Sequence, residues 1–263
     1  MINKKENMDL HERKKNMEAS QEYKIYRRLK YLDFTWSLCN DNKVELFEII
    51  NNLEQTINML FFQIYDGIIS LLSRRLINHI GTISLFVDHM RNENRFLEKS
   101  GINIGYKEKV DEYFLCNPNT QFVHGLRNFI IHNKIIKPEI ESHIINEELN
   151  ISKLTLNTNV LLQSKKWNKY AKEYILQNSP KINLKICLTN YFAYQEKFYN
   201  WFKAEYRQKY ISEITYCENI INEWNIFIEK KRVEFEKMSF EKLISLPQLI
   251  CTSENGFTIT RVE

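Results

Sequence analysis

Glycine and proline are nearly absent from this chain: its 263 residues include 6 of the first and 4 of the second. These two residues supply the positive or fixed φ angles of tight turns, and both weaken helix interiors. A chain so poor in them, and rich in Ile, Leu, Glu, Lys and Asn, has few places to reverse direction and is committed to long helices. With 43% hydrophobic residues it has ample material for a core, so the expected fold class is mainly α.

Apolar spacing places the elements. Residues 1–20 are charged and unpatterned and read as a partly helical lead-in. Large apolar side chains recur every three or four positions over 21–39, from Val44 to about Tyr65, and from about Gly67 to Leu97, which is the helical period. "NDN" (40–42) reads as a stop and a cap between the first two, and "EKSGINIG" (98–105) as a glycine-bearing connection after the third. A short helix over 106–115 follows. "CNPNT" (116–120) starts the next helix, with Asn119 or Thr120 as its cap, and Pro138 ends it, since the residue before proline resists the α conformation.

Beyond Pro138 the pattern changes. Alternating "ISKLTLN" (151–157) predicts a short strand, one of a small pair. "KKWNKYAKEYILQN" (165–178) is helical again, and an aromatic-rich helical stretch runs over 182–231. Its segment "YFAYQEKFYNWF" (191–202) reads as packed core, "KKW" and "EKKR" as solvated surface, and "ENGFTITRVE" (254–263) as at most a terminal strand. The expected architecture is a helical bundle with a small β insertion and a C-terminal helical extension. It divides into a lead-in (1–40), a helical core (41–138), and the insertion with C-terminal helices (139–263) packing on the same domain.

Composition removes several function classes. A net charge of +4 permits transient contact with a polyanion but is no broad basic footprint. Five scattered cysteines, odd in number and never in a Cys-x-x-Cys pair, predict reduced thiols, a cytoplasmic location and no structural zinc. The first twenty residues lack the apolar core of a signal peptide. The longest apolar stretch, "MLFFQIYDGIISLL" (59–72), is too short to span a bilayer and is broken by Gln63 and Asp66, so it reads as buried core. There is no phosphate-binding glycine loop, no His-Glu-x-x-His and no Gly-x-Ser-x-Gly; His89, His124 and His143 lack metal-ligand spacing. Neither cofactor nor metal nor membrane is expected.

What remains is "HGLRNFIIHNKIIKP" (124–138), where Arg127 and Asn128 interrupt an apolar helical run and His132 follows. Asn128 and His132 are four residues apart and share a face, in a polar stripe with Gly125; Arg127 lies off that stripe and must reach around. Phe129 and Ile136 flank the stripe on one side, Ile131 and Ile135 on the other, as on a helix that lines a cleft or an interface. Gly125 would let another backbone come close. A second Arg-x4-His spacing, Arg74 and His79 in "RRLINH", lacks the polar residue after arginine. His79 falls in the middle of an apolar face (Ile68, Leu72, Ile83, Phe86) and reads as a core histidine.

The Arg-Asn-x-x-x-His pattern in its apolar helix, with "RRLINHIGTISLFVDHM" upstream, resembles the signature of HEPN-domain proteins over 66–136. The resemblance implies a HEPN-like helical bundle and, in its catalytic members, a metal-independent endoribonuclease of the toxin or anti-phage type. Arg127, Asn128 and His132 would then be the catalytic residues. RNA carries its own nucleophile, the 2′-hydroxyl. Histidine, with an unperturbed pKa of about 6.5, can move the proton. Arginine can clamp the phosphate with paired hydrogen bonds, and asparagine can orient the imidazole or a ribose hydroxyl. The expected ends are a 2′,3′-cyclic phosphate and a 5′-hydroxyl. One Arg and one His are few for chemistry on both sides of the bond, and HEPN nucleases pair two domains. The expected partners are therefore RNA, a second copy of the chain in a homodimer with a composite site, and an antitoxin or other regulatory protein. The alternative is a catalytically silent HEPN-like module that binds RNA or a partner protein.

Overall fold

A computed structural model describes residues 4–55, 61–132, 135–145, 148–237, 249–252 and 258–261. The chain divides into two compact units, residues 25–211 and residues 1–24 with 212–263. Its elements are α1 (Lys4–Ala19), α2 (Gln21–Gln55), α3 (Phe61–Lys99), α4 (Tyr106–Val110), α5 (Pro118–His132), β1 (Glu139–Ile145), β2 (Glu148–Asn157), α6 (Thr158–Leu162), α7 (Lys169–Gln177), β3 (Lys181–Asn183), α8 (Leu184–Lys209), α9 (Ile211–Glu236), β4 (Leu249–Thr252) and β5 (Thr258–Arg261). The fold is mainly α, with little sheet.

The core of the larger unit forms where α2, α3, α5 and α8 turn apolar stripes toward one another. Leu29, Leu32, Leu46 and Ile50 of α2 are buried, as are Leu72, Leu76, Ile83, Phe86 and Met90 of α3. Trp36 lies flat on Tyr199 of α8, ring centroids 4.6 Å apart, with Phe86 against both rings. Polar links pin the same seam: the Tyr199 hydroxyl donates to Asp33 (2.6 Å), Lys203 pairs with Asp33 (2.9 Å), and Arg28 pairs with Glu93 (2.8 Å). The aromatic segment 191–202 is core as read: Tyr191, Phe192, Phe198, Tyr199 and Phe202 are buried. In the smaller unit α1 is a full helix with Met17 buried, Arg13 pairs with Glu223 of α9 (2.7 Å), and β4 pairs antiparallel with β5.

Local signals set most boundaries. Gly101 (φ 76°) ends α3 in a left-handed turn, with the Ile102 amide bonded to the Leu97 carbonyl and the Gly101 amide to Glu98. Asparagines cap later helices: Asn157 at α6, Asn168 at α7 and Asn183 at α8 each accept an amide hydrogen of the first turn.

Four expectations need correction. "NDN" does not stop a helix, because α2 runs through it. The Asn42 amide donates to the Leu38 carbonyl (2.8 Å), and burial of Cys39 and Leu46 on one stripe outweighs the cap signal. Asp66–Gly67 does not separate two helices, since α3 starts at Phe61. The cap of α5 is Asn117, which accepts the Thr120 amide (3.2 Å) while Pro118 fills the first helical position; Asn119 is buried and donates to the Cys187 carbonyl (3.0 Å). The β insertion has three strands in the order β1-β2-β3, all antiparallel, because three residues before α8 add Ile182 opposite Leu156. Within 59–72, Ile69 and Leu72 are buried; the side chains of 59–66 lie outside the described ones. Among the described residues, no helix is long and apolar enough to cross a membrane.

His79 is inaccessible to solvent, lies edge-on to Phe192 (4.8 Å), and has no hydrogen bond at either ring nitrogen among the described residues. Burial, aided by the charge of Lys43, pushes its pKa down to about 3. The unfolded chain takes up this proton as pH falls through about 6.5 and the folded chain does not, so stability present above that pH is lost as pH falls toward 3. His79→Leu should match or exceed wild-type stability at pH 7. It should also lose less on going to pH 4, by on the order of 2–3 kcal/mol in urea melts. Parallel wild-type and variant curves would contradict this origin of the acid sensitivity.

Candidate active site

Helix α5 faces inward with Phe122, Val123, Leu126 and Phe129, all buried. That burial fixes its roll about its own axis and leaves Arg127, Asn128, Ile131 and His132 exposed. Spacings of four relate Arg127 to Ile131 and Asn128 to His132, so the four form one strip; Ile135, beyond the end of α5, is 61% exposed. The strip differs from the one expected. Arg127 belongs to it, and Gly125 does not, because the indole of Trp167 covers that glycine.

The Gly125 contact is close. A β-carbon placed there would meet Trp167 ring atoms at 2.8 and 2.9 Å, so a side chain and not a second backbone uses the space. The indole stacks on Phe122 (5.5 Å, 26°) and on Phe129 (5.6 Å, 17°), and its Nε1 donates to the Leu161 carbonyl at 2.7 Å. In "KKW", therefore, only the lysines are solvated surface; the tryptophan is a packing residue.

Arg127 and Asn128 line a hollow of about 190 Å³ between α3 and α5. Its other walls include Ser84, Asp88 and Arg91 of α3 and His124 of α5. Arg91 pairs with Asp88 at 3.2 Å, both more than half exposed, a geometry that contributes little and is easily exchanged for another partner. His124 is the residue that sequence reasoning passed over. It was weighed only as a metal ligand, yet it precedes Arg127 and Asn128 by three and four positions and so shares their side of the helix. Its Nε2 bonds the Tyr191 hydroxyl (3.0 Å) and its ring stacks on Phe114 (5.7 Å, 22°). Burial first, and then the charge of Arg91, push its pKa down to about 4, so at neutral pH it is an uncharged hydrogen-bonding group.

His132 does not line this hollow. It sits in the last turn of α5, exposed, beyond Ile131. Within one chain the fold brings Arg127 and Asn128 to the hollow and leaves His132 farther along the strip. Among the described residues, none of the three makes a side-chain hydrogen bond or ion pair. A larger hollow of about 820 Å³ lies beside Ile135, walled by Ile69, Arg74 and Ile77 of α3 and by Lys137, and it holds none of the motif residues. Among the described residues no cluster of three His, Cys, Asp or Glu side chains could hold a metal ion. Cys39, Cys187 and Cys217 are buried free thiols and Cys116 an exposed one. No protein-family model matches the chain, and no curated protein or solved structure matches it.

Gly125→Ala should destabilise the protein by about 1–2 kcal/mol, because overpacking against a pinned indole outweighs the gain in helix propensity. Adding Trp167→Leu should remove that penalty. A thermal melt in which Gly125→Ala alone is neutral or stabilising would contradict a fixed Trp167.

Proposed function

We propose that the chain is a metal-independent HEPN-type endoribonuclease that acts as a homodimer in the cytoplasm, as a toxin or an anti-phage effector. The observation that supports this reading is the state of its three motif residues. Arg127, Asn128 and His132 are exposed on one strip of α5, with no intrachain bonds among the described residues, next to a polar hollow. The histidine of the other Arg-x4-His spacing, His79, is by contrast fully covered.

Arg127 holds the scissile phosphate and offsets the charge that builds on its oxygens. His132 takes the proton of the 2′-hydroxyl as that oxygen attacks phosphorus. His132 of a second copy protonates the departing 5′-oxygen, and the phosphorus–5′-oxygen bond breaks to leave a 2′,3′-cyclic phosphate and a 5′-hydroxyl. Asn128, one turn from His132, orients the imidazole or the ribose. The exposed Ile131 and Ile135 give the two copies an apolar contact beside the site.

One observation favours a second reading, a silent module that binds RNA or a partner protein such as an antitoxin. His132 lies off the hollow that holds Arg127, so a single chain does not assemble the trio.

Expressed in a bacterial host, the wild type should arrest growth and fragment RNA, and the purified protein should cut RNA in EDTA. His132→Ala and Arg127→Ala should each lower cleavage by roughly 10²–10⁴-fold without changing the melting temperature. Cleavage that survives both substitutions removes this site. Ile131→Glu with Ile135→Glu should give a folded monomer without activity; a monomer that still cuts RNA removes the composite arrangement.

A further inference from the structure

The hollow beside Arg127 abuts a second one. The two share Val87, Arg91 and His124 as wall residues, so His124 and Arg91 stand between them. The inner chamber, about 180 Å³, is apolar and aromatic: Tyr106, Phe114 and Phe198 line it, and Leu115, also on its wall, is half exposed. A buried water needs on the order of 10–15 Å³ of such space, so the chamber has room for roughly a dozen, enough for a heterocyclic ring. One wall is a fixed irregular turn. Asp111–Leu115 forms a π-helical turn, and its Phe114 carbonyl is held by Thr120 Oγ1 (3.0 Å) and Gln121 Nε2 (2.9 Å) of α5.

One polar side chain on that wall is underused. Gln195 is 1% exposed, and among the described residues its amide bonds only the thiol of Cys39, at 3.5 Å for the donor and 3.9 Å for the acceptor. A thiol is a weak partner on both counts, whereas an amide carries two donors and an acceptor with two lone pairs. A hydrocarbon ligand would leave that capacity unmet. A ligand with flat π faces and a polar edge satisfies the rings and Gln195 together. The outer hollow supplies what such a ligand carries on its other end. Arg127 and Arg91 flank it, and the exposed Asp88 is a weak competitor for Arg91.

We propose that the two hollows form one nucleotide subsite, with a phosphate between Arg91 and Arg127 and the base of a single unstacked nucleotide in the chamber behind His124. This rests on the reading of RNA as the substrate and narrows it to single-stranded RNA, because a base paired in a helix cannot enter the chamber. Phe114, Tyr106 and Phe198 frame the base, Gln195 reads its edge, and Val87 forms the sill between the two halves.

Calorimetry on the full chain in EDTA, with inorganic phosphate and with each of the four nucleoside 3′-monophosphates, tests this. At least one nucleotide should bind ten-fold or more tightly than phosphate, and not all four equally. Val87→Trp, which fills the sill, should reduce nucleotide binding to the level of phosphate. Gln195→Leu should erase the preference among bases, and Arg91→Gln should weaken phosphate and nucleotides alike. Nucleotides that bind wild type no better than phosphate overturn the subsite, and so does a Val87→Trp protein of native melting temperature with unchanged nucleotide affinity. The nuclease reading fails separately. If nucleotides bind as stated and RNA stays intact, the subsite stands without catalysis. If Val87→Trp cuts RNA at the same positions and rate, the nuclease stands without the subsite.

Discussion

The contact between Gly125 and the Trp167 indole sets the geometry of everything that follows. Burial of Phe122, Val123, Leu126 and Phe129 turns one face of α5 inward, and Trp167 locks that choice. It lies on the bare backbone at Gly125, stacks on Phe122 and Phe129, and is tethered through its Nε1 to the Leu161 carbonyl. A side chain at 125 would crowd the indole, so glycine there keeps the contact that reinforces this roll angle. Arg127, Asn128, Ile131 and His132 are then left outside together.

The charge distribution at the site follows from burial. The two histidines held inside the bundle are uncharged at neutral pH, since His79 is pushed down to about 3 and His124 to about 4 by loss of water. Positive charge at the α3–α5 hollow therefore comes from the arginines, Arg91 and Arg127, with the carboxylate of Asp88 beside them. His124 contributes rigidity and a neutral wall, and His132 at the helix end is exposed to water. One chain offers one such histidine, and the proposed composite site takes the other from a second copy.

Much of this was legible in the sequence because it depends on neighbours along the chain. The glycine stop at Gly101, the alternating strand at 151–157 and the core role of His79 all follow from local pattern. What was not legible depends on residues far apart. The continuity of α2 through Asn40–Asn42 is decided by where Cys39 and Leu46 are buried, and the third strand by the pairing of Ile182 with Leu156. The composition of the exposed strip required knowing that Trp167, forty-odd positions on, would cover Gly125. The aromatic chamber draws on α3, α4, α5 and α8, and nothing in a single segment announces it. His124 is a visible neighbour of Arg127 by helical spacing, but its packing against Phe114 and Tyr191 depends on residues elsewhere in the chain.

The central claim is that two copies of the Arg127–His132 strip complete one RNA-cleaving site. Mixing wild-type protein with increasing His132→Ala protein, at constant total concentration and with subunits allowed to exchange, measures it directly. If each site needs both copies of His132, cleavage in EDTA falls as the square of the wild-type fraction. A linear fall, or none, would show that each chain works alone and contradict the composite site.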